Sequence, residues 1–166
     1  MPPANMPYTR PTTDIAREGL FNILQNNLEI GSLSTLDLFG GTGCISYELA
    51  SRGAKDLTIV EQDSKMYDFI KLTVATLKLE NILLLKADVF KFLQGCTKTF
   101  DFIFAGPPYA LATIDDLPVL IFNKKILNKG GWFVLEHTPR NDYKKSPHYR
   151  TERNYGTTIF SIFIQE

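Results

Sequence analysis

The segment LSTLDLFGGTG, residues 33–43, decides the fold class of this chain. A short apolar run containing Asp37 passes directly into a glycine-rich turn, and a helical pattern follows from Cys44 to Arg52. A strand that leads through glycines into a helix lets the backbone approach a bound ligand closely. We therefore predict a cofactor loop, formed by Phe39, Gly40, Gly41, Thr42 and Gly43.

Strands and helices alternate along the rest of the chain. Apolar strand patterns occupy residues 57–61, 82–86, 100–105 and 131–137, and helical patterns occupy 66–77, 88–93 and 114–122. Nearly continuous apolar strands are typical of a parallel sheet that is covered on both faces. Residues 149–154 and 157–164 flank Tyr155 and Gly156, which predicts an antiparallel hairpin. The expected fold is α/β and Rossmann-like, with a mostly parallel seven-stranded sheet, this C-terminal hairpin, and helices on both faces.

Length and composition favour one globular domain. The chain has 166 residues, 44% of them apolar, which suffices for a single core. We expect residues 1–12 to be an extended, proline-rich segment and residues 13–166 to form the domain, beginning with an amphipathic helix capped by Thr13 or Asp14. Ile15, Leu20, Ile23 and Leu24 mark the apolar face that we predict for this helix.

Charge and targeting signals restrict the function classes. The formal net charge is zero, which argues against a protein that grips long stretches of phosphate backbone by charge alone. Basic residues nevertheless recur near Arg17, at 124–129 and from Arg140 to Arg153. The two cysteines lack metal-ligand spacing, and we find neither a signal peptide nor a membrane-spanning run. We expect a cytoplasmic, monomeric protein that needs no metal.

The cofactor that fits the glycine turn is S-adenosylmethionine. A dinucleotide fingerprint starting at Gly41 would need a third glycine at position 46, where the chain has Ser46. No Gly-Lys-Ser/Thr follows the turn, so a phosphate-binding loop is also disfavoured. The acidic Asp37 before the turn would repel phosphate but suits a cationic amino-acid group. S-adenosylmethionine carries an ammonium group and a sulfonium and has no phosphate.

Two further carboxylates are candidates for binding the adenosine part of this cofactor. Glu61 closes the second strand at the offset where an acid accepts hydrogen bonds from ribose hydroxyls. Asp88 follows the third strand, where it could accept from the adenine amino group. We expect the neighbouring Gln62 and Val89 to line the same slot. Either acid could instead be an ordinary helix cap.

The fourth strand ends in AGPPY, residues 105–109, and this motif points to methyl transfer onto a planar amine. Pro107 and Pro108 fix the backbone and direct a carbonyl into the pocket, while Tyr109 offers a surface on which a flipped base can stack. Hydrogen-bond acceptors on the amine protons favour the pyramidal nitrogen of the transition state and hold it in line with the methyl group.

The chain resembles the bacterial methyltransferases that act on guanine N2 of 16S ribosomal RNA, the small-subunit methyltransferase D type. The resemblance is carried by five segments: RPTTDIAREGLFNIL (10–24), LDLFGGTG (36–43), FDFIFAGPPY (100–109), GGWFVLEH (130–137) and RNYGTTIFSIF (153–163). It implies a class I S-adenosylmethionine-dependent fold, the product S-adenosylhomocysteine, and an N-terminal segment with Arg10 and Thr12 lying over the cofactor.

One departure from the family pattern concerns the catalytic corner. The family has Asp or Asn before Pro-Pro-Tyr, and this chain has Gly106. The side-chain acceptor for the target amine is therefore absent, although the Pro107 carbonyl remains, and we expect methyl transfer to be impaired.

The predicted substrate is a guanine in 16S ribosomal RNA within a small-subunit particle. Two alternatives stay open, because the Pro-Pro-Tyr motif occurs in methyltransferases that act on different planar amines. One is a methyltransferase for DNA adenine or protein glutamine. The other is a non-catalytic module that binds S-adenosylmethionine or RNA.

Overall fold

Seven strands and five α-helices make up the part of the chain that the computed structural model describes, residues 13–108 and 110–166. The helices are α1 (Asp14–Asn27), α2 (Cys44–Ser51), α3 (Ser64–Thr76), α4 (Val89–Gly95) and α5 (Asp116–Asn123). The strands are β1 (Ser34–Leu38), β2 (Asp56–Glu61), β3 (Ile82–Lys86), β4 (Phe100–Ala105), β5 (Leu127–His137), β6 (Tyr149–Tyr155) and β7 (Thr158–Ile164). A short 3-10 turn, Ile30–Ser32, connects α1 to β1.

The strands form one sheet in the order β3-β2-β1-β4-β5-β7-β6. The first five strands are mutually parallel, and β7 is antiparallel to both β5 and β6. Successive strands move outward from β1 to β3, and the chain then returns to place β4 on the other side of β1. This arrangement confirms the predicted mostly parallel sheet with its C-terminal hairpin.

Helices cover both faces of the sheet, as predicted. Helices α1 and α2 bury apolar residues such as Leu20 and Leu49 against one face. Helices α4 and α5 pack residues such as Leu93 and Ile121 on the opposite face, where the segment between β5 and β6 adds the buried ring of Tyr143. The sheet is therefore apolar on both sides, as its uninterrupted apolar strands require.

Helix α1 begins where the sequence indicated, and Leu20 and Leu24 are buried as predicted, but Ile15 is not. The Thr13 side chain accepts a hydrogen bond from the Ala16 backbone N–H at 3.3 Å, which makes Thr13 the N-cap. The prediction that Ile15 faces the core is wrong, because this side chain is 75% exposed. Ala16 and Phe21 are fully buried instead, because the face of the helix is set by its contact with the sheet.

Strand β5 is longer than its apolar pattern indicated. It starts at Leu127, which pairs with Phe100, and the register then shifts before Trp132 pairs with Phe102. Gly130, with a φ of 80°, lies inside this irregular part. The polar and glycine residues between Leu127 and Trp132 hid the start of the strand, since the apolar run begins only after them.

Candidate active site

The predicted cofactor loop and the Pro-Pro motif lie at neighbouring positions of one sheet edge. The loop Phe39–Gly43 follows the carboxyl end of β1, and residues 106–108 follow the carboxyl end of β4. Strands β1 and β4 are adjacent and parallel, with Leu38 opposite Ala105. The strand order reverses between them, and such a switch point is where open α/β sheets bind their ligands.

The loop between β1 and α2 has an unusual backbone conformation. Phe39 has a φ of 58°, a left-handed value that a bulky non-glycine residue rarely adopts. Gly41 and Gly43 also have positive φ values, 59° and 83°. Left-handed backbone at a bulky residue costs free energy and tends to occur at functional sites. The conformation is thus consistent with a loop shaped for a ligand.

Gly40 allows the loop to pack closely against strand β2. A Cβ atom added here would lie 2.6 Å from Cγ2 of Ile59 and 3.2 Å from Cδ1 of Ile70. The Gly40 backbone N–H also donates to the Val60 carbonyl at 3.0 Å. Glycine at this position lets the loop lie directly on β2.

Asp37 lies buried beneath the loop, with only 2% of its surface exposed. Its Oδ2 accepts a hydrogen bond from the Ser46 hydroxyl of α2 at 2.8 Å. The pKa of Asp37 is raised to about 7, mainly by burial and in part by the nearby carboxylates of Glu61 and Glu136, while the hydrogen bond from Ser46 opposes the rise. Ser46, which the sequence analysis used only to exclude a dinucleotide fingerprint, is thereby the hydrogen-bond partner of Asp37.

Glu61 connects the loop to the next strand-helix turn. Its Oε1 accepts from the Gly41 backbone N–H at 2.7 Å, and its Oε2 accepts from the Asp63 backbone N–H at 2.8 Å. Burial raises the pKa of this carboxyl above its ordinary value, while the two backbone donors oppose that rise. Each carboxylate oxygen keeps a second lone pair, so the predicted ribose contact stays compatible with these bonds.

The remaining residues of the predicted adenosine slot surround the carboxyl ends of β2 and β3. Asp88 is the N-cap of α4, and its Oδ1 accepts from the Lys91 backbone N–H at 3.0 Å. Val89 is buried, and Gln62 is exposed. The capping role suggested for Asp88 is thus present, and the cofactor contacts of Asp88, Val89 and Gln62 remain predictions.

A carboxylate of β5 that the sequence analysis missed lies beside the Pro-Pro motif. Pro107 is buried, and Gly106 is half-buried. A Cβ atom added at Gly106 would lie 3.4 Å from Oε1 of Glu136. Glu136 belongs to β5, 30 residues further along the chain, and only the sheet register brings it here. A glutamate in an apolar strand was the sequence signal that could have identified it.

Three predicted site residues lie outside the described part of the chain. They are Arg10, Thr12 and Tyr109. The nearest described residue of the N-terminal region that reaches the site is Arg17. Burial raises the pKa of the Cys44 thiol at the start of α2, and the charge and hydrogen bonding of Arg17 act against that rise, which places this guanidinium beside the cofactor loop.

One protein family matches the chain along almost its full length. The family model described as conserved hypothetical protein 95 matches residues 1–164. The chain belongs to this family. Ribosomal RNA small subunit methyltransferase D of Buchnera aphidicola subsp. Baizongia pistaciae is 27% identical over 98% of this chain and 86% of its own length. The protein of the same name from Buchnera aphidicola subsp. Acyrthosiphon pisum is 30% identical over 80% of this chain and 69% of its own length. These relatives confirm the resemblance to small-subunit ribosomal RNA methyltransferases and support ribosomal RNA methyltransferase activity in this member of the family.

Solved structures confirm the fold class. The Escherichia coli protein yhhF covers 96% of this chain and 89% of its own, with a TM-score of 0.84 and 25% identity. A Thermus thermophilus 16S rRNA N2 G1207 methyltransferase, solved with AdoMet and guanosine, covers 96% of this chain and 45% of its own at a TM-score of 0.74 and 21% identity. The second likeness establishes only that the two share a fold. In the described part of the chain, no helix is long and apolar enough to cross a membrane.

Proposed function

We propose that the chain transfers a methyl group from S-adenosylmethionine to the exocyclic N2 amine of a guanine in 16S ribosomal RNA. The observation that carries this proposal is the position of the glycine turn directly beside Gly106, Pro107 and Pro108 at the β1–β4 switch point. A methyl donor at one strand end and an amine at the next would be adjacent there. The names of the relatives supply the class of RNA substrate.

The residues at the glycine turn fit this cofactor. A buried carboxyl, Asp37, lies under a loop whose backbone is already in left-handed conformation, and Glu61 lies at the end of the next strand. Asp37 would hold the cationic amino-acid part, and Glu61 the ribose, with Asp88, Val89 and Gln62 around the base. When bound, the cofactor supplies an electrophilic methyl group. The product S-adenosylhomocysteine keeps the amino group and the ribose, so the same residues would bind it.

The Pro-Pro segment would position the substrate. Two consecutive prolines restrict the backbone, so that the Pro107 carbonyl is held in place to accept a hydrogen bond from the amine. We assign base stacking to Tyr109 and coverage of the cofactor to Arg10 and Thr12, on the basis of sequence alone. Side chains and the Pro107 carbonyl would thus bind and orient both reactants, and no residue needs to form a covalent bond.

The proposed partner is 16S ribosomal RNA, either naked or within a small-subunit particle. We propose that the protein binds this RNA as a monomer in the cytoplasm. Exposed cations follow the carboxyl end of β5 and continue along the edge strand β6. They are Arg140, Lys144, Lys145 and Arg153. We place part of the RNA contact on this side of the site because phosphates bind to such clusters.

Methyl transfer from labelled S-adenosylmethionine tests the proposal. The chain is incubated separately with naked 16S RNA, small-subunit particles, DNA and a protein fraction, and the products are digested and separated. We expect label in N2-methylguanosine from one of the two RNA samples. Label in methyladenine or in protein glutamine would favour the other planar-amine substrates, and binding of the cofactor without transfer would favour a non-catalytic module.

Substitutions of two acidic residues, one predicted to bind the cofactor and one exposed, test cofactor binding alongside this assay. Glu61→Ala should weaken S-adenosylmethionine binding at least about tenfold, or roughly 1.4 kcal/mol, because charge-assisted hydrogen bonds are lost. Glu80→Ala removes the same charge from an exposed site before β3 and should change nothing. Equal effects in the two variants would contradict the role assigned to Glu61.

A further inference from the structure

We propose that Glu136 provides the side-chain acceptor for the target amine that position 106 lacks. This inference rests on the proposed function, since it concerns the same amine. Glu136 would accept a hydrogen bond from the amine without forming a covalent bond. The nitrogen lone pair forms the new bond to the methyl carbon, the carbon–sulfur bond breaks toward sulfur, and the proton released from nitrogen passes to water.

The sheet register directs Glu136 and Gly106 to the same face. Phe104 of β4 pairs with Asp37 on one side and Val134 of β5 on the other. Side chains two residues apart on a strand share a face of the sheet. Glu136 therefore lies on the face of Asp37, one strand beyond Gly106, on the side away from the cofactor loop.

The distance to Gly106 places this carboxylate where a family side chain would extend. Oε1 of Glu136 lies 3.4 Å from the position that a Cβ atom would take at Gly106. The oxygen of an Asp or Asn at that position would lie two covalent bonds beyond Cβ. The Glu136 oxygen therefore reaches the neighbourhood of the missing acceptor from the adjacent strand.

Burial strengthens the hydrogen bonds that the Glu136 side chain can accept. Glu136 is 1% exposed, and a hydrogen bond that is shielded from water is electrostatically stronger than an exposed one. An amine nitrogen becomes more positive as it attacks a methyl group, so an acceptor already in place favours the transition state. A buried glutamate beside the Pro-Pro motif is thus suited to the role that the family side chain would have.

The position of Glu136 also affects which side chains fit well at position 106. An Asp at position 106 would bring a second carboxylate next to Glu136, and two like charges at that separation disfavour each other. A glycine avoids this repulsion and leaves room for the amine. The expectation from sequence, that Gly106 leaves the enzyme impaired, then changes, because Glu136 supplies an acceptor from the adjacent strand.

Volume-matched substitutions of Glu136 test the proposal through single-turnover methylation of the RNA substrate at saturating cofactor. Glu136→Met removes the carboxylate at similar volume and should slow the reaction about a hundredfold. Glu136→Gln keeps a neutral acceptor oxygen and should slow it about tenfold, because a carboxylate is the stronger acceptor. The double variant Gly106→Asn with Glu136→Met should recover most of the rate, because the acceptor is restored from β4.

Cofactor binding and melting temperature separate this role from a structural one. The dissociation constant of S-adenosylmethionine should stay within about threefold in every variant. Unchanged rates in Glu136→Met or in Glu136→Gln would overturn the proposal. A slow Glu136→Met variant that Gly106→Asn does not rescue would overturn it as well. If the unaltered chain methylates no substrate, the proposed function itself fails, and the two failures are thereby distinguished.

Discussion

Asp37 illustrates how a single residue acquires its properties from its surroundings. Burial raises its pKa to about 7, so the carboxyl is largely neutral in acid and charged above that value. A cationic amino group bound beside it favours the charged form and lowers its pKa in the complex. Binding of S-adenosylmethionine below pH 7 therefore releases a proton, and its affinity should increase with pH until about pH 7.

We predict that the dissociation constant of S-adenosylmethionine falls by up to about tenfold per pH unit as the pH rises toward 7, and then levels off. Calorimetry over about pH 5 to 8 measures this, and the heat in buffers of different ionisation enthalpy counts the protons released. In Asp37→Asn the affinity should be lower above pH 7 and much less dependent on pH. A wild-type affinity that does not vary with pH would contradict an ionic contact with Asp37.

The stability of the same variant provides a second measurement. The raised pKa means that the folded state binds more protons than the unfolded state between about pH 4 and 7, so Asp37 lowers the free energy of unfolding as pH rises through this range. Asn stays neutral and can still accept from Ser46. The stability of Asp37→Asn relative to wild type should therefore increase with pH and be largest above pH 7, by on the order of a few kcal/mol.

At the scale of elements, the contact between the β1–α2 loop and β2 depends on Gly40. A Cβ atom there would lie 2.6 Å from Ile59, a fully buried side chain of a central strand that has little room to move. We predict that Gly40→Ala lowers the free energy of unfolding by about 1–3 kcal/mol through overpacking and displaces the loop, which weakens cofactor binding as well.

Gly95 is the control for this change. A Cβ atom at the end of α4 would meet nothing within 4 Å, so Gly95→Ala should leave stability unchanged or raise it by about 0.5–1 kcal/mol through helix propensity. Chemical denaturation of the two variants and calorimetry with S-adenosylmethionine make the comparison. Equal stabilities would show that the loop can move away from β2 at little cost.

For the whole molecule, charge is distributed unevenly even though the formal net charge is zero. The segment between β5 and β6 carries exposed Lys144 and Lys145, and the hydrogen bond of Tyr143 to Asp115 at 2.8 Å anchors it beside the start of α5. Helix α5 follows the carboxyl end of β4, so these lysines lie near the edge of the sheet that carries the site.

We predict that the double change Lys144→Glu and Lys145→Glu weakens binding of 16S RNA. The slope of the logarithm of the binding constant against the logarithm of salt concentration should become shallower by roughly one to two, the contribution of about two phosphate contacts. Its control is Lys65→Glu with Lys71→Glu, an equal change of charge on the exposed surface of α3. Helix α3 packs on β2 and β3, at the opposite end of the sheet from β6. Equal losses of affinity in the two double variants would show that RNA responds only to overall charge.

Local sequence determined the elements of this protein and the glycine-rich turn after β1. Short apolar runs predicted the strands, the glycines predicted the turn after β1, and Thr13 predicted the start of α1. Each of these features depends on residues that are close together in the chain. The two exceptions have different causes, one local and one tertiary. Strand β5 was predicted too short because polar and glycine residues interrupt its apolar pattern near Gly130, and Ile15 was misplaced because the contact with the sheet, not spacing alone, selects the buried face of a helix.

Tertiary structure alone decided which polar groups share a site. Gly41 donates to Glu61, and Glu136 lies beside Gly106, only because parallel strands distant in sequence are adjacent, whereas Ser46 donates to Asp37 within one strand-loop-helix unit. The same is true of the raised pKa of Asp37, since burial depends on everything packed around the residue. Sequence specifies short-range order through backbone preference and apolar spacing, whereas the distances on which binding and chemistry depend are set by the assembled sheet.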